Sequence, residues 1–330
     1  MCEQLQSQIF QTSDDLSNIL VIIPVRDEAE TIAIVIKNLQ SFGLKNIRVV
    51  DNGSRDRSGE IAQAMVAEVL YEPQAGYGQA CWHGLQEIPP EITWILFCDG
   101  DGSDDLSCIP TMVGLRQQYD LILGDRRAMA QSKAVMTPVQ HFGNGLAGWL
   151  INWGWGYTYN DLGPLRLIER SKLEQIAMTD RGFGWTVEMQ VRAIEEGLKV
   201  CEIPVNYRPR QGGRSKISGT ISGSVQAGTI ILSTLGKLYL AKLLKGSRIN
   251  NSLPRLNGSK SNFESILILW LSTLGLIIGA VMMTPYGDFR QGANVIRFGY
   301  GAGVMCCGFA LSWRLKSVSP LWFWAIAIAT

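Results

Sequence analysis

Residues 18–32 read Asn-Ile-Leu-Val-Ile-Ile-Pro-Val-Arg-Asp-Glu-Ala-Glu-Thr-Ile. The apolar run over 18–24 is rich in β-branched side chains and leaves neither face polar, which predicts a strand buried on both sides. An acidic pair, Asp27-Glu28, stands just past it. Ile32, Val35, Ile36 and Leu39 then recur at helical spacing and predict a helix over 28–39. The same unit returns downstream. Strands are expected at 47–50, 68–71, 94–98 and 121–123, and helices at 56–66, 78–85 and 106–117. Strand and helix alternating at this spacing predict an α/β fold with a mostly parallel, doubly wound sheet flanked by helices. In such sheets ligands sit outside the C-terminal ends of the strands. Beyond residue 124 the alternation weakens: helix is expected at 137–155, a Gly- and Pro-containing turn at 161–166, helix at 185–196 and strand at 199–205.

The ends of three predicted strands are acidic. The first carries Pro24-Val25-Arg26-Asp27-Glu28, the second Asp51-Asn52-Gly53-Ser54-Arg55-Asp56, and the third Asp99-Gly100-Asp101-Gly102-Ser103. Each alone reads equally well as a helix cap or a turn. On neighbouring edges of one parallel sheet they converge on one crevice. Two carboxylates separated by a single small residue, Asp99 and Asp101, suit a hard divalent ion such as Mg²⁺ or Mn²⁺ that takes its other oxygens from a phosphate. The EF-hand spacing and the phosphate-binding GxxxxGK[ST] loop are both missing from the sequence. Gly76-Tyr77-Gly78 opens a helix and gives backbone room to approach a nucleotide.

The 330 residues are 46% hydrophobic and 18% charged, a combination that excludes wholesale disorder. The net charge of +1 gives no whole-molecule case for nucleic acid. Seven cysteines without a CxxC read as free thiols, and two histidines cannot build a His-based metal cluster. Charge is absent from residues 265–287 and 298–313. Twenty helical residues span about 30 Å, the thickness of a bilayer's hydrocarbon, so transmembrane helices are expected at about 265–284 and 294–313. Residues 1–17 read as a flexible tail, 18–216 as the catalytic domain, 217–246 as helices lying on the membrane surface, and 247–264 as a basic linker. Residues 265–330 are expected to form a transmembrane hairpin of those two spans and an apolar C-terminal segment. No signal peptide is apparent, and six basic residues with no acidic one between 237 and 263 put that side, and the catalytic domain, on the cytoplasmic face.

The ordered set of motifs, from 21–32 through Asp51-Asn52-Gly53-Ser54 and Gly76-Tyr77-Gly78 to Asp99-Gly100-Asp101, resembles the catalytic domain of glycosyltransferase family 2, with its GT-A fold. Gly124-Asp125-Arg126, Asp161-Leu162-Gly163-Pro164-Leu165-Arg166, Gly184-Trp185-Thr186-Val187-Glu188-Met189 and Arg210-Gln211-Gly212-Gly213-Arg214-Ser215-Lys216 are similar to the dolichyl- or polyprenyl-phosphate sugar synthases. The resemblance covers about residues 18–217 and departs at Asn52, where an acid is usual. It implies that Pro24, Glu28 and Asp51, with Gly78 and Asp99, bind a nucleotide-sugar. It implies too that Asp99 and Asp101 hold the metal, with Asp101 the closer ligand.

The expected reaction moves a hexose from a nucleotide-sugar to a polyprenyl phosphate at a lipid bilayer. A phosphate monoester is largely dianionic near neutral pH and needs cations rather than a strong base. Arg126, Arg166, Arg210, Arg214 and Lys216 are the candidates for holding it. A glycolipid or glycan hydroxyl acceptor stays open and would require Asp161 or Glu188 as base. A non-catalytic membrane-tethered scaffold stays open as well, and so does a homo-oligomer.

Overall fold

The computed structural model describes residues 16–65, 67–129, 132, 135–210, 212 and 221–249. The expected tail, the basic linker, both expected membrane spans, Arg214 and Lys216 lie wholly or almost wholly outside the described residues. Two units divide at Tyr239 and Leu240. The first holds the sheet, and of the second only the end of one helix is described.

Seven strands form one sheet: β1 (Ile19–Val25), β2 (Asn46–Asp51), β3 (Glu68–Tyr71), β4 (Trp94–Phe97), β5 (Leu121–Asp125), β6 (Arg166–Glu169) and β7 (Val200–Pro204), in the order β3-β2-β1-β4-β6-β5-β7. Between them run α1 (Ile32–Ser41), α2 (Ser58–Ala64), α3 (Tyr77–Gly84), α4 (Ile109–Gly114), α5 (Pro138–Trp155), α6 (Arg170–Gln175) and α7 (Trp185–Glu195), and α8 (Ile221–Ile249) follows β7. The central β1 pairs parallel with β2 on one side and β4 on the other. Strand order reverses there, so a crevice opens between the C-terminal ends of β1 and β4.

The core follows the periodicities of the sequence. Ile19, Val21, Ile23 and Val25 pack into one cluster with Ile32, Val35, Ile36 and Leu39 of α1, the predicted stripe. Leu20 and Ile22 are buried on the other face of β1. There α3 lies so close that its last residue must be glycine: a Cβ on Gly84 would stand 2.6 Å from Ile22 Cγ2 and 3.1 Å from Val50 Cγ2.

Two expectations need correcting. The turn expected over 161–166 ends in β6, a strand absent from the sequence reading, and α6 follows it directly. β6 is antiparallel to both β4 and β5. Its four residues, Arg-Leu-Ile-Glu, are too few and too charged to show a period, and burial between two neighbours overrides that. The helix expected over 106–117 is a 3₁₀ turn, Leu106–Cys108, leading into the shorter α4. Pro110 sits in the first turn of α4, where its missing N–H costs nothing. Helix was expected over 217–246 as well, and α8 runs unbroken there for 29 residues. Among the described residues no helix is long and apolar enough to cross a membrane.

The α3 contact sets a test. Gly84→Ala is expected to cost about 1–3 kcal/mol through overpacking against Ile22 and Val50. Gly143→Ala in α5, where an added Cβ meets nothing within 4 Å, should gain about 0.5–1 kcal/mol. Thermal midpoints of the two variants in detergent should therefore move in opposite directions.

Candidate functional site

The three acidic turns are tied to one another by their own backbones. Asp27, at φ +52°, turns the chain out of β1. Its N–H donates to Ser54 Oγ at 3.0 Å, and its carboxylate accepts from Arg55 N at 2.6 Å. Glu28 N donates to Ser58 Oγ at 2.7 Å. Asp51 accepts from Ser54 N at 2.8 Å and closes its own turn. The third turn approaches β1 closely: a Cβ on Gly100 would stand 2.9 Å from Val25 Cγ2, and Gly100 O accepts from Thr31 Oγ1 at 2.8 Å.

Asn52, where an acid was expected, has a clear use. Its amide donates to Glu72 O at 3.0 Å and Gln74 O at 2.7 Å, and its carbonyl accepts from Gly76 N at 2.8 Å. An aspartate could accept from Gly76 but could not donate to the two carbonyls. The amide thereby fixes the approach to α3. Gly78 serves the same junction, since its Cβ would clash with Arg181 C and Gly182 O, each at 2.8 Å. It meets protein backbone and does not line the cavity.

A cavity of 520 Å³ opens at the β1/β4 crevice. Pro24, Glu28, Asn52, Asp99, Asp101, Arg126, Tyr207 and Arg210 line it. Thr137 and Gln140 from the start of α5 complete the wall. Pro24, Glu28, Asp99, Asp101, Arg126 and Arg210 are thus gathered from separate elements. Asp51 and Gly78 support the wall from behind.

Negative charge is crowded here. Burial pushes the Asp99 carboxyl well above its usual range, and Asp104 and Asp101 beside it push further the same way. Burial also raises Asp104, to about 7, although its carboxylate accepts from Asp99 N at 2.9 Å. Two arginines offset the crowding. Arg210 bridges Glu28, at 2.9 Å, and Asp101, at 3.0 Å. Arg126 grips Asp161 through Nε at 2.6 Å and Nη2 at 2.9 Å and lies over the Tyr207 ring at 5.1 Å.

The two base candidates are spent elsewhere. Asp161 accepts from Arg126 N, Asn144 Nδ2 and Leu162 N as well as from the Arg126 side chain. Burial would raise its pKa, but Arg126 outweighs burial and holds it below the usual carboxylate range. Glu188, 2% exposed, accepts from Thr179 N, Thr179 Oγ1 and Asp180 N and does not line the cavity. Arg166, expected at the acceptor phosphate, is placed in the core instead. It is 1% exposed, donates to Thr186 O at 3.1 Å and to Gly163 O, and misses the cavity because the unforeseen β6 carries it inward. Sequence reading also missed Tyr207, Thr137 and Gln140, which no motif marks.

No group of three or more His, Cys, Asp or Glu among the described residues is arranged to hold a metal by itself. Two cavity-facing carboxylates with a third behind them fit an ion that completes its shell with phosphate oxygens and water.

The family profile of Glycosyl transferase family 2 matches residues 20–181. A Mycobacterium tuberculosis protein described as an uncharacterized glycosyltransferase is 33% identical over 63% of this chain and 94% of its own. The dolichyl-phosphate hexose transferase of Haloferax volcanii is 27% identical over 67% of this chain and 94% of its own. Among solved structures, M. tuberculosis glucosyl-3-phosphoglycerate synthase, in complex with Mn²⁺, UDP and glucosyl-3-phosphoglycerate, superposes with a TM-score of 0.53 at 20% identity, covering 67% of this chain and 80% of that one. The chain belongs to glycosyltransferase family 2, and its sheet has the GT-A fold.

Two outcomes test the electrostatics. Arg126→Met strands Asp161 as a buried unpaired charge and should cost about 3–5 kcal/mol, part of it recovered by adding Asp161→Asn. Burial raises Glu202 to about 7. Between the unfolded pKa near 4.5 and that value only the unfolded chain loses its proton, so stability falls as pH rises. Glu202→Gln should therefore stabilise by about 1 kcal/mol at pH 8 and by little at pH 4.5, read from thermal midpoints.

Proposed function

We propose that this glycosyltransferase moves a hexose from a nucleoside-diphosphate sugar to a polyprenyl phosphate, with inversion at the anomeric carbon and with the protein anchored to the membrane. The observation that carries the reading is the state of the two base candidates, neither of which lines the cavity. Asp161 is saturated by Arg126 and held below its usual range, and Glu188 lies outside. A hydroxyl acceptor needs a base poised to take its proton. A phosphate acceptor already carries its nucleophilic oxygen as an anion and needs positioning by cations. The similarity to a dolichyl-phosphate hexose transferase supports the same acceptor class.

In this reading the base and ribose lie against Pro24, Glu28 and Asn52, and the diphosphate over Asp99 and Asp101. Mg²⁺ or Mn²⁺ on those two carboxylates would neutralise charge developing on the leaving nucleoside diphosphate. Arg126, with Nε and Nη2 committed to Asp161, presents Nη1 to the acceptor oxygens. The pair is a rigid mount, since a guanidinium gripped by two carboxylate oxygens cannot swing. Arg210 offers a second cation once substrate and metal compete for Asp101. The acceptor oxygen attacks the anomeric carbon, the bond to the β-phosphate oxygen breaks, and nucleoside diphosphate leaves with that electron pair.

The test supplies membranes holding the full chain with polyprenyl phosphate, Mg²⁺ or Mn²⁺ and a panel of labelled nucleotide-sugars, and counts label in the organic phase. Metal-dependent label, reduced about 100-fold or more by Asp101→Asn, is expected. Glu188→Gln should keep activity within about ten-fold in protein that melts normally, because the group is a brace rather than a base. Absence of organic-phase label, with labelled sugar transferred to a hydroxyl acceptor and nucleoside diphosphate released, would move the assignment to the rival acceptor.

A further inference from the structure

Helix α5 is apolar on two opposite sides. No Asp, Glu, Lys or Arg occurs from Pro138 to Trp155. One side is filled by the protein: Ala147, Leu150 and Ile151 are buried. The other leaves Phe142 72%, Trp149 51% and Trp153 36% exposed. Spacings of seven and four residues put these three within about 40° of one another around the helix. Trp149 and Trp153 stack, with ring centroids 5.5 Å apart. A helix with a second apolar face needs cover there as well, and an exposed aromatic ridge marks a contact surface.

Three observations identify the cover as lipid. Two of the three rings are tryptophan, with Asn152 exposed beside them, and an amphipathic indole suits the headgroup level of a bilayer. Next, α5 is fastened to α8: Tyr239 OH donates to Leu150 O, and the Tyr239 ring lies 4.6 Å from that of Trp155. The sequence from Lys237 to Phe263 carries six basic residues and no acidic one, which attracts anionic headgroups, and the uncharged apolar stretch at 265–284 follows. Finally, the first turn of α5 supplies Gln140 to the cavity wall, and Thr137 beside it caps the helix. One helix therefore joins the exposed ridge to the site.

We propose that Phe142, Trp149 and Trp153 of α5 insert at the boundary of headgroups and acyl chains of an anionic bilayer. The cavity wall is thereby held at the surface from which a lipid phosphate enters. The entry route rests on the acceptor reading above; the lipid contact does not.

The experiment reconstitutes the full chain into vesicles of phosphatidylcholine and phosphatidylglycerol carrying a trace of diazirine phospholipid. Illumination is followed by peptide mass spectrometry. Lipid adducts on peptides containing Phe142, Trp149 and Trp153 are expected well above those on peptides from α1 and α2. The double variant Trp149→Ser with Trp153→Ser should reduce them several-fold without lowering the thermal midpoint. Adducts on 265–284 with none on α5 would overturn the proposal, as would adducts nowhere. Cross-links joining α5 of two copies would assign the ridge to self-association and overturn it equally. Lipid-linked product without α5 adducts would remove this inference and leave the acceptor reading standing. Adducts without product would do the reverse.

Discussion

Like charge gathered at one buried sheet edge is the constraint on which the rest of this structure depends. Parallel strands deliver their C-terminal ends to the same side, so the acids after β1 and β4 meet whether or not their charges agree. Asp99, Asp101 and Asp104 share one turn, and burial holds the first well above its usual range and the last near 7. Such a cluster persists only because cations face it. Arg210 bridges Glu28 and Asp101, and Arg126 lines the same cavity. The same imbalance suits the site to a divalent ion and a diphosphate, which enter as a pair of nearly opposite charge.

The carboxylates divide into those that face the cavity and those that build it. Asp161 and Glu188 resemble catalytic acids by position in the chain, yet both are consumed by hydrogen bonds. Asp161 aims Arg126, and Glu188 holds the backbone at Thr179 and Asp180. The loop at 180–182 then packs against Gly78 and Gln79. Asp161, with five hydrogen bonds to its carboxylate and a pKa held below the usual range by Arg126, is a poor proton acceptor and a good bracket.

The antiparallel β6 ties the cavity's two halves together. It fills the gap between β4, which ends in the Asp99 turn, and β5, which ends at Asp125 beside Arg126. Arg166 opens it and is drawn into the core, where its guanidinium links Gly163 to Thr186 at the start of α7. α5 lies outside this frame. Its outer aromatic side has no counterpart in the packing of the sheet, whereas its first turn closes the cavity.

The sequence by itself determined the alternating strands and helices up to Asp125, the buried stripe of α1, the acidic crevice and the family. These rest on local periodicity and on turns whose residue types carry their own chemistry. The 68–71 strand matches to the residue, a short apolar run with β-branched and aromatic side chains just ahead of Pro73. Tertiary structure alone decided the fate of each charged side chain beyond that point. The sequence shows Arg126, Arg166 and Arg210 as equal cations. Only the insertion of β6 makes one a core brace, and only the packing of residues 207–210 against the turn after β4 makes another the bridge between Glu28 and Asp101. Asn52 is read likewise: a turn residue in the sequence, it becomes a three-way amide clamp because β3 and α3 arrive on either side of it. Periodicity is fixed by neighbours along the chain, whereas ionisation and contact are fixed by neighbours in space.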